Sequence, residues 1–383
     1  MANSIKSEFS PTRRDILRFT SAGLMVAAAP IGFLRNGEAR AADEVGGDVS
    51  YIGWEGEDFK TILGPRYAAR KINLKSQYIT NMGDLAAKFA AGGGQDIDLI
   101  DFSSNGTARV LSSGVPLAPL DLGKIPNRKG LTPFFADDPQ RNMMNADGDV
   151  IGVPIAWGAV GLTYDKTKVA DIKSWDDVLL PKYQKRIAVV DDASNVFSIV
   201  AAILGFRPDR LDEDQFSKVK DYAKRLVQQS KVITPSFGDM ANLLVSGEID
   251  IGWGGYNVLN VIAAQAGNPN VVTTSPSEVR CGFIEIWGLS SNSDNPEAVY
   301  ALLNDILDPE INAAASESLA LLPTVGEAFQ HLKGQRDPSV EPENQAAFFK
   351  TMVLTQDPPQ SSDEGFVTFE MFMQAWAEIK ADL

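Results

Sequence analysis

The stretch Val153-Pro154-Ile155-Ala156-Trp157-Gly158-Ala159-Val160-Gly161-Leu162-Thr163-Tyr164-Asp165-Lys166 lies between two blocks in which strand-like and helix-like segments alternate. The apolar run that overlaps it, Val150 to Tyr164, reads as extended chain crossing from one block to the other. A second extended, aromatic run, Arg280 to Ser290, does the same. Alternation of strands and helices predicts parallel sheets covered by helices, hence an α/β fold. Two strand-like connections between two α/β units form a hinge, because a few backbone torsions then open or close the cleft between them. The expected architecture is therefore two-lobed, each lobe a mostly parallel sheet flanked by helices, the pair joined by two hinge strands.

Outward from the first crossing, Asp48 to Trp54 reads as a strand that ends at an acidic loop, Glu55-Gly56-Glu57-Asp58, before a helical run from Phe59 to Arg70. Ile72 to Ile79 is a second strand, and Asp84 to Ala91 a helix stopped by Gly92-Gly93-Gly94. Ile97 to Phe102 is a third strand, closing on Ser103-Ser104-Asn105. Beyond the crossing, Arg186 to Val190 is a strand closing on Asp191-Asp192-Ala193-Ser194-Asn195, with a helix to Leu204. Asp212 to Gln228 and Asp239 to Val245 read as helices, and Glu248 to Trp253 as a strand ending at Gly254-Gly255-Tyr256-Asn257. An α/β protein places its ligand outside the carboxyl ends of its strands, which here means these polar loops. The expected partition is residues 48–155 with 286–325 for lobe 1 and 156–285 for lobe 2. The chain from Asn295 reads as mostly helical with proline breaks, and residues 326–383 form a C-terminal helical segment not assigned to either lobe.

The first 41 residues carry their own signal. Arg13-Arg14 precedes a moderately apolar stretch, Phe19 to Leu34, interrupted by Pro30 and Gly32. Ala39-Arg40-Ala41 follows as a small-x-small cleavage pattern, so residues 1–41 read as a twin-arginine signal peptide that engages the twin-arginine translocase for export to the periplasm. The whole chain has 383 residues and a formal charge of -15; without the signal it keeps 29 basic against 47 acidic residues. That acidity repels phosphate backbones and excludes nucleic acid as a partner. Cys281 is the one cysteine, so no internal disulfide exists, and the one histidine, His331, has no companion for a zinc site or a Cys-His pair. No Gly-x-Ser-x-Gly elbow accompanies His331 either, and no catalytic residue, cofactor or metal site is expected.

The crossing segment resembles that of the bacterial spermidine/putrescine-binding proteins. So, in order, do Ser174-Trp175-Asp176-Asp177-Val178-Leu179-Leu180-Pro181-Lys182-Tyr183, Val189-Val190-Asp191-Asp192, Leu204-Gly205, Gly247-Glu248-Ile249-Asp250, Asn295-Pro296-Glu297-Ala298, Leu307-Asp308-Pro309-Glu310 and Leu322-Pro323-Thr324. The resemblance covers residues 48 to 326. It implies a periplasmic-binding-protein-like fold and the role of substrate-binding component of an ABC importer, with the transporter's permease as partner. It also implies a pocket with aromatic faces along an extended amine and carboxylates at its ammonium ends. Carried over by position, the ligand residues are Trp54 with Glu55 or Glu57, then Phe102, Ser103 and Ser104, and Asp192 from the second lobe. The chain departs from the pattern at three points. Asn195 stands where a glutamate is expected, Trp253 comes two positions early so that Tyr256 is left to take its place, and the second crossing offers Phe283-Ile284-Glu285 instead of Trp-x-Asp. With Arg280 nearby, these changes favour a monoamine, a zwitterion or an anion over a solute with several ammonium groups.

Bland readings stand beside the sharp ones. Trp54, Trp157, Trp253 and Trp287 form an aromatic box or pack in cores. Asp192 faces the ligand, caps the helix that starts at Ala193, or does both. A polyamine-like solute leads, with an amino acid, an opine, a betaine, an organophosphonate or ferric iron as other cargoes. The competing class is a secreted glycosidase-like enzyme using Asp191, Asp192 and Glu285, for which no nucleophile context exists in the chain.

Overall fold

The computed structural model describes residues 45–79, 82–136, 143–170, 172–333, 337–359 and 365–381. The expected export signal at residues 1–41 lies outside them. The strands in chain order are β1 (Gly47–Trp54), β2 (Ile72–Ile79), β3 (Leu99–Ser103), β4 (Val153–Asp165), β5 (Ile187–Val190), β6 (Val232–Thr234), β7 (Ile251–Gly255), β8 (Val271–Thr274), β9 (Arg280–Leu289), β10 (Leu322–Pro323) and β11 (Met352–Leu354). They hydrogen-bond in the order β2-β1-β3-β9-β4-β7-β5-β6, with β8 and β10 on β4 and β11 on β9.

β4 and β9 are the two long strands, and both serve two lobes. From Val153 to Val160, β4 pairs antiparallel with β9; from Gly161 to Asp165 it pairs with β7 and β8. The later half of β9 pairs antiparallel with β3. Each lobe thus holds three parallel strands, β2-β1-β3 in the first and β6-β5-β7 in the second, closed on one side by a hinge strand. At the change of partner the register of β4 shifts between Gly161 and Leu162. A Cβ at Gly161 would lie 2.3 Å from the Thr274 carbonyl oxygen, so only glycine lets β4 and β8 approach there.

Parallel strands need apolar cover on both faces, and each lobe supplies it. In the first lobe Val49, Tyr51 and Leu99 pack against Leu63, Leu302 and Leu303 on one face. Ile52, Ile100 and Phe102 pack against Leu85 and Val110 on the other. In the second lobe Val189 and Trp253 pack with Phe197, Phe216 and Leu226, and Ala188 and Val190 with Met240, Leu244 and Leu259. Burial of side chains of this size contributes about 1.5 to 3 kcal/mol each. The helices start where their capping residues stand: Asp212 and Gln215 form a reciprocal capping box for Glu213–Gln229, and Ser236 caps Phe237–Ser246.

Beyond Asn295 the chain is less helical than its sequence suggests. Met352–Leu354 adds to β9 as an edge strand at Arg280–Gly282, directly after the short helix Gln345–Phe349. The final helix, Phe369–Ala381, sets Phe372 and Trp376 against Phe197 in the second lobe. The three- and four-residue strands β6 and β8 also escaped the sequence pattern, being too short to show a period.

Candidate ligand-binding site

The carboxyl ends of β1 and β3 and the middle of β9 meet at one point. On β3 the two-residue period turns Asp101 and Ser103 to one face and Phe102 to the other. Register places Ser103 opposite Glu285, and the Ser103 hydroxyl donates to Glu285 Oε2 at 2.5 Å. Asp101 Oδ2 accepts from the Tyr51 hydroxyl at 2.6 Å and from the Trp54 amide at 3.1 Å. A Cβ at Gly53 would lie 2.3 Å from Asp101 Cβ and 2.4 Å from the Tyr51 hydroxyl oxygen; the missing side chain leaves the space in which those two groups meet. The acidic loop then turns at Gly56, with φ of 92°, so that Glu57 faces inward and Glu55 faces solvent.

Glu57, Asp101 and Glu285 each offer an oxygen within 4.8 Å of the others, and all three are buried. They are also the one group among the described residues with metal-binding proximity, although no histidine or cysteine joins them. Glu57 Oε2 and Asp101 Oδ1 have no hydrogen-bond partner. Burial first, then repulsion from the other carboxylates, holds Glu57 and Asp101 well above the ordinary carboxylate range. Burial pushes Glu285 up to about 7, against the pull of the Ser103 hydrogen bond. At an effective dielectric of about 20, each pair of unit charges 4.8 Å apart repels by about 3.5 kcal/mol, so the empty cluster retains protons.

The second lobe faces this cluster with Tyr256, whose phenol is raised by burial and by the charges of Glu285 and Glu57. Tyr256 packs edge-on against Phe283 at 5.6 Å and Phe237 at 5.3 Å. Phe283 and Glu285 share a face of β9 because they are two apart. Trp54, half-buried, donates its indole N–H to Ser103 Oγ at 3.2 Å. Asp192 caps its helix by accepting from the Asn195 amide at 3.1 Å. Its side chain reaches solvent but is walled by protein, whose desolvation raises its carboxyl while helix N–H groups and Arg109 pull it down. Asn195 donates its amide to the Gly254 carbonyl at 3.2 Å, and its Oδ1 is buried without a partner.

Several positions need correction. Phe102, Trp157 and Trp253 were expected at the ligand, and their rings lie fully buried in cores. Trp157 packs on Phe349 at 4.8 Å and donates to the Pro323 carbonyl; Trp253 packs on Trp175 at 5.5 Å; Phe102 is on the opposite face of β3 from Asp101. Trp287 is likewise core, against Tyr51 and Phe59. Ser104 is buried with its Oγ accepting from the Ile284 amide. Arg280 sits over Phe348 and donates to Thr351. In place of Glu55, Glu57 joins the carboxylates. Asp101 was missed altogether, although a charge inside a buried strand costs several kcal/mol unless it has a purpose or a partner, and that was the available signal.

A family model for bacterial extracellular solute-binding proteins matches residues 68–351. A spermidine/putrescine-binding periplasmic protein of Salmonella typhimurium is 27% identical over 204 residues, covering 52% of this chain and 56% of the relative, so the chain spans little more than half of that protein's length. A putrescine-binding periplasmic protein of Pseudomonas aeruginosa is 24% identical over 326 residues, 78% of this chain and 82% of the relative. Among solved structures, a spermidine/putrescine ABC transporter substrate-binding protein from Streptococcus pneumoniae superposes with a TM-score of 0.71 at 19% identity, covering 87% of this chain and 98% of the other. The fold is the two-lobed one of these binding proteins.

Proposed function

From the premise that the chain belongs to the bacterial extracellular solute-binding protein family, we propose that it is the periplasmic substrate-binding component of an ABC importer and captures a small amine-bearing solute of the polyamine class. One observation carries this reading: the carboxyls of Glu57, Asp101 and Glu285 meet within 4.8 Å of one another, all three buried, and Tyr256 of the other lobe is near enough for the charges of Glu285 and Glu57 to raise its phenol. An ammonium group brings the three N–H donors and the positive charge that such a cluster needs, and the faces of Trp54, Tyr256 and Phe283 suit the adjoining methylenes. Solute contacts to both lobes favour the closed form, with β4 and β9 as hinges, and the closed surface is what the permease reads. Export runs through the twin-arginine pathway with cleavage after Ala41. The family is one of solute-binding proteins, and the function proposed is binding without turnover.

Calorimetric titration with 1,4-diaminobutane, spermidine and calcium chloride tests the assignment. The amines should bind, and Glu57→Gln and Glu285→Gln should each weaken them about 10- to 150-fold, the scale of a charge-assisted hydrogen bond. Binding of calcium with indifference to amines would refute it.

A further inference from the structure

A second charged cluster lies where a strap bridges segments of the two lobes, and it already contains a cation. Arg109, on the short helix Thr107–Ser112 of the first lobe, is 5% exposed. Its guanidinium donates to Asp357, which is 2% exposed. The strap that carries Asp357 leaves the hinge through β11 and touches both lobes. The Asp357 amide donates to the Asn105 carbonyl at 2.8 Å on the first-lobe side, and Ser198 of the second lobe donates to the Gln356 carbonyl at 2.9 Å. Phe369, at the start of the final helix, lays its ring 3.4 Å from Arg109 Cζ. Asp192, the second-lobe carboxylate, lies within the electrostatic reach of the same guanidinium.

An aromatic face with carboxylates around it is the chemistry by which proteins hold a cationic ligand. Here the chain supplies the cation itself. We infer that Arg109 is a tethered cation filling a second cation site between the lobes, so that a solute with a single ammonium group suffices to occupy the cleft. Asn195 agrees with this: the position beside Asp192 on the same helical turn carries no charge, and the neighbouring Asp191 is held by Trp376 and Lys380, so Asp192 is the carboxylate of that turn left within the electrostatic reach of Arg109. The inference rests on the ammonium reading of the Glu57, Asp101 and Glu285 cluster. Removing Arg109 takes from Asp357 its ion-pair partner and from Asp192 the positive charge that pulls on it, a deficit that the second ammonium of a diamine relieves and a monoamine does not.

The test is calorimetry on the full chain with 1-aminobutane and 1,4-diaminobutane. A second ammonium meeting a free carboxylate is worth about 10- to 150-fold in affinity. For the wild type, the two amines should differ by less than about tenfold; a diamine preference of about tenfold or more overturns the inference. In R109Q the diamine should gain at least about tenfold over the monoamine, and R109K, which keeps the charge, should hold the wild-type ratio. A folded R109Q with an unchanged ratio also overturns it, and if R109Q fails to fold the wild-type ratio decides. Binding of neither amine by the wild type removes the ammonium reading and this inference together, whereas a strong diamine preference removes this inference alone.

Discussion

Amine capture should release protons, and the carboxylate cluster sets how many. Empty, Glu285 titrates near 7 because it is buried, and Glu57 and Asp101 lie well above the ordinary range because they are buried beside one another. An ammonium binds only the deprotonated cluster. For Glu285 alone, the deprotonated fraction rises from roughly a tenth at pH 6 to roughly nine tenths at pH 8, so amine affinity should rise about tenfold, or about 1.4 kcal/mol, across that interval. Protons lost from Glu57 or Asp101 steepen the rise. The stability of the empty protein runs the other way. A carboxyl raised from 4.5 to about 7 on folding stabilises the fold fully below pH 4.5, and that contribution, about 3 kcal/mol, is lost as pH rises through 7. The empty protein should therefore melt at a lower temperature at pH 7.5 than at pH 5, and saturating diamine should close or invert the gap. Titration calorimetry at pH 6, 7 and 8, in buffers of contrasting ionisation enthalpy, reads both the affinity and the released protons. Affinity constant within about twofold over this range, with identical heats in the two buffers, would refute the reasoning.

Three further outcomes are expected. Gly53→Ala drives a methyl into Asp101 and Tyr51, so it should cost about 1 to 3 kcal/mol in chemical denaturation and weaken amine binding at least about tenfold; a variant that binds normally would separate Asp101 from the site. Trp253→Phe should destabilise by about 1 to 3 kcal/mol while leaving amine affinity within about threefold, since the ring belongs to the second-lobe core. Asp192→Ala should lower the melting temperature through loss of about 1 kcal/mol of capping, and Asp192→Asn, which preserves the cap, should not.

The strands that build the cleft were legible because each has a plain signature. Ile72–Ile79 matches its expected bounds, and Asp48 to Trp54, Arg186 to Val190 and Arg280 to Ser290 differ from β1, β5 and β9 by a residue. The site was legible in part. Ser103, Glu285, Tyr256, Phe283 and Trp54 gather around one point, but Glu57 was only an alternative to Glu55, and which of the two turns inward depends on the left-handed backbone at Gly56, invisible in composition. Arg109 was not legible at all: its partner Asp357 is 248 residues away, and nothing local distinguishes it from a surface arginine.

The sequence by itself determined the α/β alternation, the two crossings and the acid content of the loops, because periodicity and punctuation are local and survive without a fold. Tertiary structure alone decided which acids meet and which tryptophans vanish into cores. Strand pleat and register assign each side chain to a face, and three carboxylates from β3, β9 and a loop share a site only when those strands are brought side by side.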